Sequence, residues 1–205
     1  MSLGGITPSG IVKKGVENNR VTNTREAWAA FLNPEMVRSK LVTAGLFLVA
    51  HEMLLDTIKR HPLSFFADRW TAKGPEPSPK YISEVLALDP KGKGDTLRGS
   101  IAWLRKIEVI AEEDEKAIRT VTDARNGLAH EMSAMVSGSK PPDFVEHFSA
   151  LLALTDKIEK WWIVNVEMAT NPDYDGGAIA AADIVSGPAW SMHILGRKLI
   201  KCLED

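Results

Sequence analysis

Apolar residues recur along most of this chain at the three- and four-residue spacing of helices, and the strict alternation of a half-buried strand is absent. Thr24 is placed to cap a short helix through Ala27, Trp28, Phe31 and Leu32. Asn33-Pro34 should interrupt it, because proline disfavours a helical residue before it. A second helix begins near Glu35. Its Leu41, Ala44, Leu48, Leu55 and Ile58, with Val42, Phe47, Val49 and Leu54 between them, cover most of its circumference and predict the most buried element of the fold. His61-Pro62 marks its expected end.

Residues 62–95 are irregular, with Gly74, Pro75, Pro77, Pro79, Pro90, Gly92 and Gly94 around one short apolar stretch, Ile82 to Leu88. They read as a long loop carrying a small helix. Asp95 can cap the next helix, whose inner stripe should be Leu97, Ile101, Leu104 and Ile107 or Glu108, with a tight connection around Glu112 to Asp114. The following helix alternates Ile118, Val121, Arg125, Leu128, Met132 and Met135, so an arginine occupies the middle of an apolar stripe. Pro141-Pro142-Asp143 opens another helix, with a broad face of Phe144, Phe148, Leu151, Leu152, Ile158, Trp161 and Trp162, which the segment from Asn171 to Gly177 ends. A last helical stretch from Ala178 to Leu203 should be broken at Gly187-Pro188. The expectation is an all-α fold: a flexible tail over 1–22, then one helical domain over 23–205 with a C-terminal extension over 171–205.

Composition sharpens this picture mainly by exclusion. At 205 residues, 44% hydrophobic and 25% charged, the chain is long and apolar enough for a sizeable core. The N-terminal residues contain no apolar stretch of the signal-peptide kind. Leu41 to Ala50 is far short of the ~20 residues that cross a bilayer and runs into His51, Glu52 and Asp56, so no membrane partner is expected. Cys202 is the single cysteine, which excludes an intramolecular disulfide and a cysteine-based zinc cluster, and a cytoplasmic location is expected. A net charge of −2 exerts no long-range pull on nucleic acid, so contact with RNA must use a local basic patch.

The most specific chemistry lies in Arg125-Asn126-Gly127-Leu128-Ala129-His130. A fixed cation beside a group that titrates near neutrality can move protons around a phosphodiester without a metal. On an ideal helix Arg125 and His130 lie roughly 140° apart, the arginine on the apolar stripe and the histidine on a polar stripe with Lys116, Arg119, Asp123 and Asn126. Both can face one groove if the helix forms its floor, or if a second copy crosses the first at Gly127. A structural alternative has Arg125 paired with a buried carboxylate, with Glu52, Asp56 or Glu108 as candidates, and His130 capping a helix end.

This six-residue run resembles the signature of the HEPN superfamily (higher eukaryotes and prokaryotes nucleotide-binding), in which an arginine and a following polar residue precede a histidine by a few positions. The helical context extends the resemblance over roughly residues 35–168. It implies an antiparallel HEPN-like helical bundle with extra terminal helices, forming a homodimer whose two motifs meet in one cleft. It also implies a metal-independent, cofactor-free endoribonuclease. His130 would move protons at the ribose 2′-hydroxyl or the leaving 5′-oxygen, Arg125 would hold the scissile phosphate, and Asn126 would bond the phosphate or orient the histidine. Products would be a 2′,3′-cyclic phosphate and a 5′-hydroxyl. Such proteins serve phage defence and toxin–antitoxin systems, often held by an antitoxin or regulatory protein. Others are non-catalytic modules for dimerisation and for binding nucleic acid, nucleotide or protein.

Remaining features carry less. His51-Glu52 lies on a helix, but Asp56 stands in the next turn where a zinc site would need a second histidine, so packing is the better reading. Pro90 to Thr96 lacks the full spacing of a phosphate loop. Arg98, Arg105 and Arg119 form a candidate RNA-binding patch, with a solvated helix face as the plainer reading. Trp161 and Trp162 read as core or interface, and His147 and His193 as ordinary packing or surface residues.

Overall fold

The computed structural model describes residues 29, 32–136, 144–174 and 183–204. The expected tail, the Thr24-capped helix and the Pro141-Pro142-Asp143 helix start lie outside them, apart from Ala29 and the residues from Leu32 onward. The described chain is mostly helical, as expected of an all-α fold.

Helix α1 spans Pro34–Phe66. The break expected at Asn33-Pro34 is where α1 starts: the Asn33 Oδ1 accepts from the Glu35 N–H at 3.1 Å, its carbonyl accepts from Val37, and Pro34 takes the first-turn position where its missing donor costs nothing. The buried stripe is Ala44, Phe47, His51, Leu54, Ile58 and His61, while Leu41 and Val49 are exposed. Within α1, Val37–Phe66 is long and apolar enough by length and composition to cross a membrane, which the shorter run seen in sequence did not suggest. Its buried stripe packs against three later helices, as the central helix of a core does.

His61-Pro62 was the expected end, yet α1 continues to Phe66 with Pro62 inside it. A proline there forfeits one backbone hydrogen bond, at a cost of ~3 kcal/mol. Packing of the last turn offsets that cost: Pro62 is fully buried, and Phe65 and Phe66 meet Trp103 at centroid distances of 6.1 and 5.6 Å. Phe65 also meets Trp162 edge-on, and His61 stacks on Trp162 at 4.5 Å, which settles Trp162 in the core.

The irregular segment contains a two-stranded antiparallel ribbon, β1 (Trp70–Thr71) with β2 (Gly74–Pro75), too short for alternation to show in sequence. Helix α2 (Pro79–Glu84) is capped by Ser78, whose Oγ accepts from the Tyr81 N–H at 3.0 Å. A 3₁₀ turn at Leu86–Leu88 follows. Asp95 caps α3 (Thr96–Lys106) as expected, accepting from the Arg98 N–H at 2.9 Å.

The buried face of α3 is Gly99, Ser100, Trp103 and Leu104, rotated from the expected stripe. Gly99 causes the rotation: α3 lies so close to the preceding turn that a Cβ there would sit 2.7 Å from the Val85 carbonyl oxygen. The α3 end also falls earlier than expected. Glu108 adopts φ 61, with its N–H bonded to the Arg105 carbonyl and that of Val109 to Leu104, so a Schellman closure is made without the usual glycine. Val109 and Ile110, both buried, anchor the turn.

Helix α4 (Glu112–Val136) begins with Asp114 accepting from the Ala111 N–H at 2.6 Å. Helix α5 (Phe144–Trp162) runs on through a π-helical stretch, Ile163–Glu167, and a last turn, Met168–Thr170. The break expected at Gly187-Pro188 coincides with the start of α6 (Gly187–Glu204), where residues 184–186 are not helical and proline again takes a first turn; the expected stretch over 178–182 lies outside the described residues. Replacing Gly99 by alanine is expected to destabilise the fold by roughly 1–3 kcal/mol, because the obstructing atom is backbone. Urea denaturation of Gly99→Ala measures it, and an unchanged midpoint would contradict the close approach.

Candidate functional site

Ile118, Val121 and Leu128 of α4 are buried, and Arg125 shares their stripe as the sequence pattern predicted. At this turn α1 presents His51 and Glu52 in place of an apolar surface. The Arg125 Nη2 lies 3.7 Å from Glu52 Oε1, with the two side chains 38% and 61% exposed. Glu52 was one of the expected carboxylates, but it is not buried and does not close the arginine off. A solvated pair at that distance contributes at most about 1 kcal/mol. Nη1 donates to Asn126 Oδ1 at 3.5 Å, and the buried Nε has no hydrogen-bond partner. The guanidinium therefore keeps donors for an incoming anion.

Behind it, His51 is buried. Its Nε2 lies 3.3 Å from Thr122 Oγ1, and that hydroxyl already donates to the Ile118 carbonyl at 2.7 Å. The other ring nitrogen, Nδ1, lies 3.6 Å from Glu52 Oε1, so the ring is placed between a hydroxyl and a carboxylate. Burial lowers the His51 pKa; Glu52 opposes that shift by charge and hydrogen bonding, and the Arg125 charge reinforces it. His51 is neutral at pH 7 and ties α1 to α4 directly beneath Arg125. The packing reading of the His51-Glu52 pair holds for the histidine, while the glutamate reaches the site.

Among the described residues, no group of three or more His, Cys, Asp or Glu side chains could hold a metal ion. His130 lies in α4 five residues beyond Arg125, with its side chain outside the described ones.

Arg98, Arg105 and Arg119 do come together, on one groove between α3 and α4 with a volume of about 640 Å³. Their surroundings differ. Arg98 Nε and Nη2 donate to the two oxygens of Asp89 at 2.7 and 3.0 Å, and the Asp89 side chain is fully enclosed. Backbone N–H groups of Lys91, Lys93 and Asp95 also point at this carboxylate, at 3.0–3.1 Å. Gly92 and Gly94, at φ 64 and 65, let alternate amides converge. The stretch set aside as a false phosphate loop is thus an anion nest filled by the chain's own aspartate. The Arg98 hydrogen bonds, with these amides, hold the Asp89 carboxyl well below the usual range, so Arg98 is committed to structure. Arg105 and Arg119 instead share one carboxylate, Glu115.

A second buried polar cluster joins α1 to α5. Glu159 accepts from Thr57 at 2.8 Å and Arg60 at 3.1 Å, and His61 Nε2 lies 3.1 Å away. Burial raises the Glu159 pKa, but these partners outweigh it and the carboxyl sits below its ordinary value. The sequence offered no signal for this cluster, since its members are about 100 residues apart.

Because the folded-state pKa of His51 is depressed, the unfolded chain binds its proton first as pH falls. Stability supplied by neutral His51 is full above its ordinary value, near 6.5, and is lost below it. Urea midpoints are expected to fall between pH 7.5 and 5.5, and the fall should shrink in His51→Gln. An equal fall in both would remove His51 as its source. No protein-family model, curated protein or solved structure matches this chain.

Proposed function

We propose that this chain is a metal-independent endoribonuclease of HEPN type, acting as a homodimer in phage defence or a toxin–antitoxin setting. The observation that carries the reading is the half-exposed Arg125 guanidinium, held on the rim of the core by a weak solvated contact with Glu52. In this reading a phosphate replaces that contact, since phosphate offers the guanidinium a bidentate, charge-assisted partner. His130 takes the proton from a ribose 2′-hydroxyl, the 2′-oxygen forms a bond to phosphorus, and the bond from phosphorus to the 5′-oxygen breaks as that oxygen gains a proton. Arg125 stabilises the charge on the phosphoryl oxygens, and Asn126, exposed one position along, bonds the phosphate or orients the histidine. The expected homodimer brings two motifs to one cleft, in an antiparallel HEPN-like bundle.

A non-catalytic binding module of the same shape is the second reading, and the Glu52 contact with Arg125 favours it to the extent that it occupies the guanidinium. Incubation with mixed-sequence RNA in EDTA separates the two. Wild type is expected to cleave, with Arg125→Ala and His130→Ala each lowering the rate at least 10²-fold, in line with losing a charge-stabilising or proton-transfer group. Equal cleavage by all three proteins, or none by wild type, would contradict the catalytic reading.

A further inference from the structure

The groove between α3 and α4 has walls of two kinds. Leu97 and Ile101 from α3 and the buried Ile118 from α4 make an apolar floor, and Arg105 and Arg119 stand over it with Glu115. Glu115 Oε2 lies 3.7 Å from Arg105 Nε, and its other oxygen contacts Arg119. With Arg98 paired to Asp89, the lining cations Lys91, Arg105 and Arg119 face the carboxylates Glu115 and Asp123, which leaves one positive charge in excess. Arg119 is 74% exposed and Arg105 36%, so both can turn toward a ligand. Arg105 also lines an adjoining cavity of about 390 Å³, where Glu108 and a Lys157 paired with Asp114 balance the charge, so the basic edge stays with the groove. At the opposite end the groove is closed by Thr122 and Asp123. Asn126 follows those residues by one helical turn, about 5.4 Å along α4, on the same side of the helix.

We propose that this groove is the subsite for the nucleotide flanking the scissile phosphate of a single-stranded RNA. Its base rests on Leu97, Ile101 and Ile118, and its outer phosphate sits between Arg105 and Arg119. The inference rests on reading Arg125 as the cation of the cleavage site, since that fixes which end of the groove the scissile phosphate enters. A flat base with a charged phosphate matches an apolar floor edged by cations, and aromatic stacking is not required for a base to leave water. A duplex does not fit, because its bases are paired and stacked and cannot reach the floor. Arg98 takes no part, since Asp89 holds its Nε and Nη2 and Asp95 lies 3.4 Å from its Nη1.

The test is binding of a short mixed-sequence RNA carrying 2′-O-methyl groups, which blocks 2′-hydroxyl attack and separates binding from cleavage. Arg105→Gln and Arg119→Gln are each expected to weaken binding roughly tenfold and to lower the slope of log affinity against log salt by about one. Glu115→Gln should tighten binding several-fold, a sign that a merely structural salt bridge would not produce. Lys116→Gln, which removes a cation of the same helix paired with Glu112 outside the groove lining, should leave binding unchanged. Equal losses from Lys116, Arg105 and Arg119 substitutions would reduce the effect to general charge and overturn the subsite. Groove variants that bind like wild type, while wild type still cleaves RNA in EDTA, would overturn the subsite and leave the catalytic reading standing. Failure of the wild type to bind the probe at low salt would overturn the subsite whatever the cleavage result.

Discussion

A helix that is apolar around most of its circumference must be covered, and Pro34–Phe66 imposes that demand on the rest of the chain. Three later helices meet it closely: α5 most extensively, then α4 and α3. Its inward stripe also carries His51, Thr57 and His61, and burying a polar group without a partner costs more than a hydrogen bond contributes. The covering helices must therefore bring oxygen atoms to defined heights along α1. Glu159 of α5 serves Thr57 and approaches His61, and Thr122 of α4 meets His51. These contacts fix how far α4 and α5 can slide along α1, which apolar packing alone leaves looser.

The candidate site is a consequence of that registration. With His51 set against Thr122, the next turn of α4 brings Arg125 beside Glu52, at the edge where α1 becomes exposed. A carboxylate deeper in the core would have claimed the guanidinium, as Asp89 claims Arg98. The two arginines show what position does to one side chain: supplying two of the five donors around a buried carboxylate, it is a staple; placed on a rim beside a solvated neighbour, it is available. A contact worth at most about 1 kcal/mol can be exchanged for a phosphate, whereas a buried pair resists exchange because its separated charges would be stranded.

Much of this was legible where local chemistry decides the outcome. The Asp95 cap and the Ile118, Val121 and Leu128 stripe interrupted by Arg125 follow from spacing and side-chain type, whereas Trp162 was left between core and interface until the fold placed it. Other features depend on partners far along the chain. Pro62 stays helical because residues about 40 and 100 positions later pack against the Phe65 and Phe66 rings of the same turn. Glu108 closes α3 in a conformation that favours glycine because Val109 and Ile110 are buried behind it. Glu52 could be named as a candidate partner of Arg125, but its exposure could not, since that depends on where α4 crosses α1. The assignment of Asp89 as the anion inside the loop at Lys91 and Lys93 likewise needed the fold.

The central claim is that a half-exposed arginine on α4 serves cleavage through the ribose 2′-oxygen. Comparing one oligonucleotide sequence as RNA and as its 2′-deoxy counterpart, in EDTA and with the product ends identified, tests it most directly. The account predicts cleavage of the RNA alone, with 2′,3′-cyclic phosphate and 5′-hydroxyl ends. Cleavage of the deoxy strand at a similar rate, or RNA products ending in a 5′-phosphate, would contradict it.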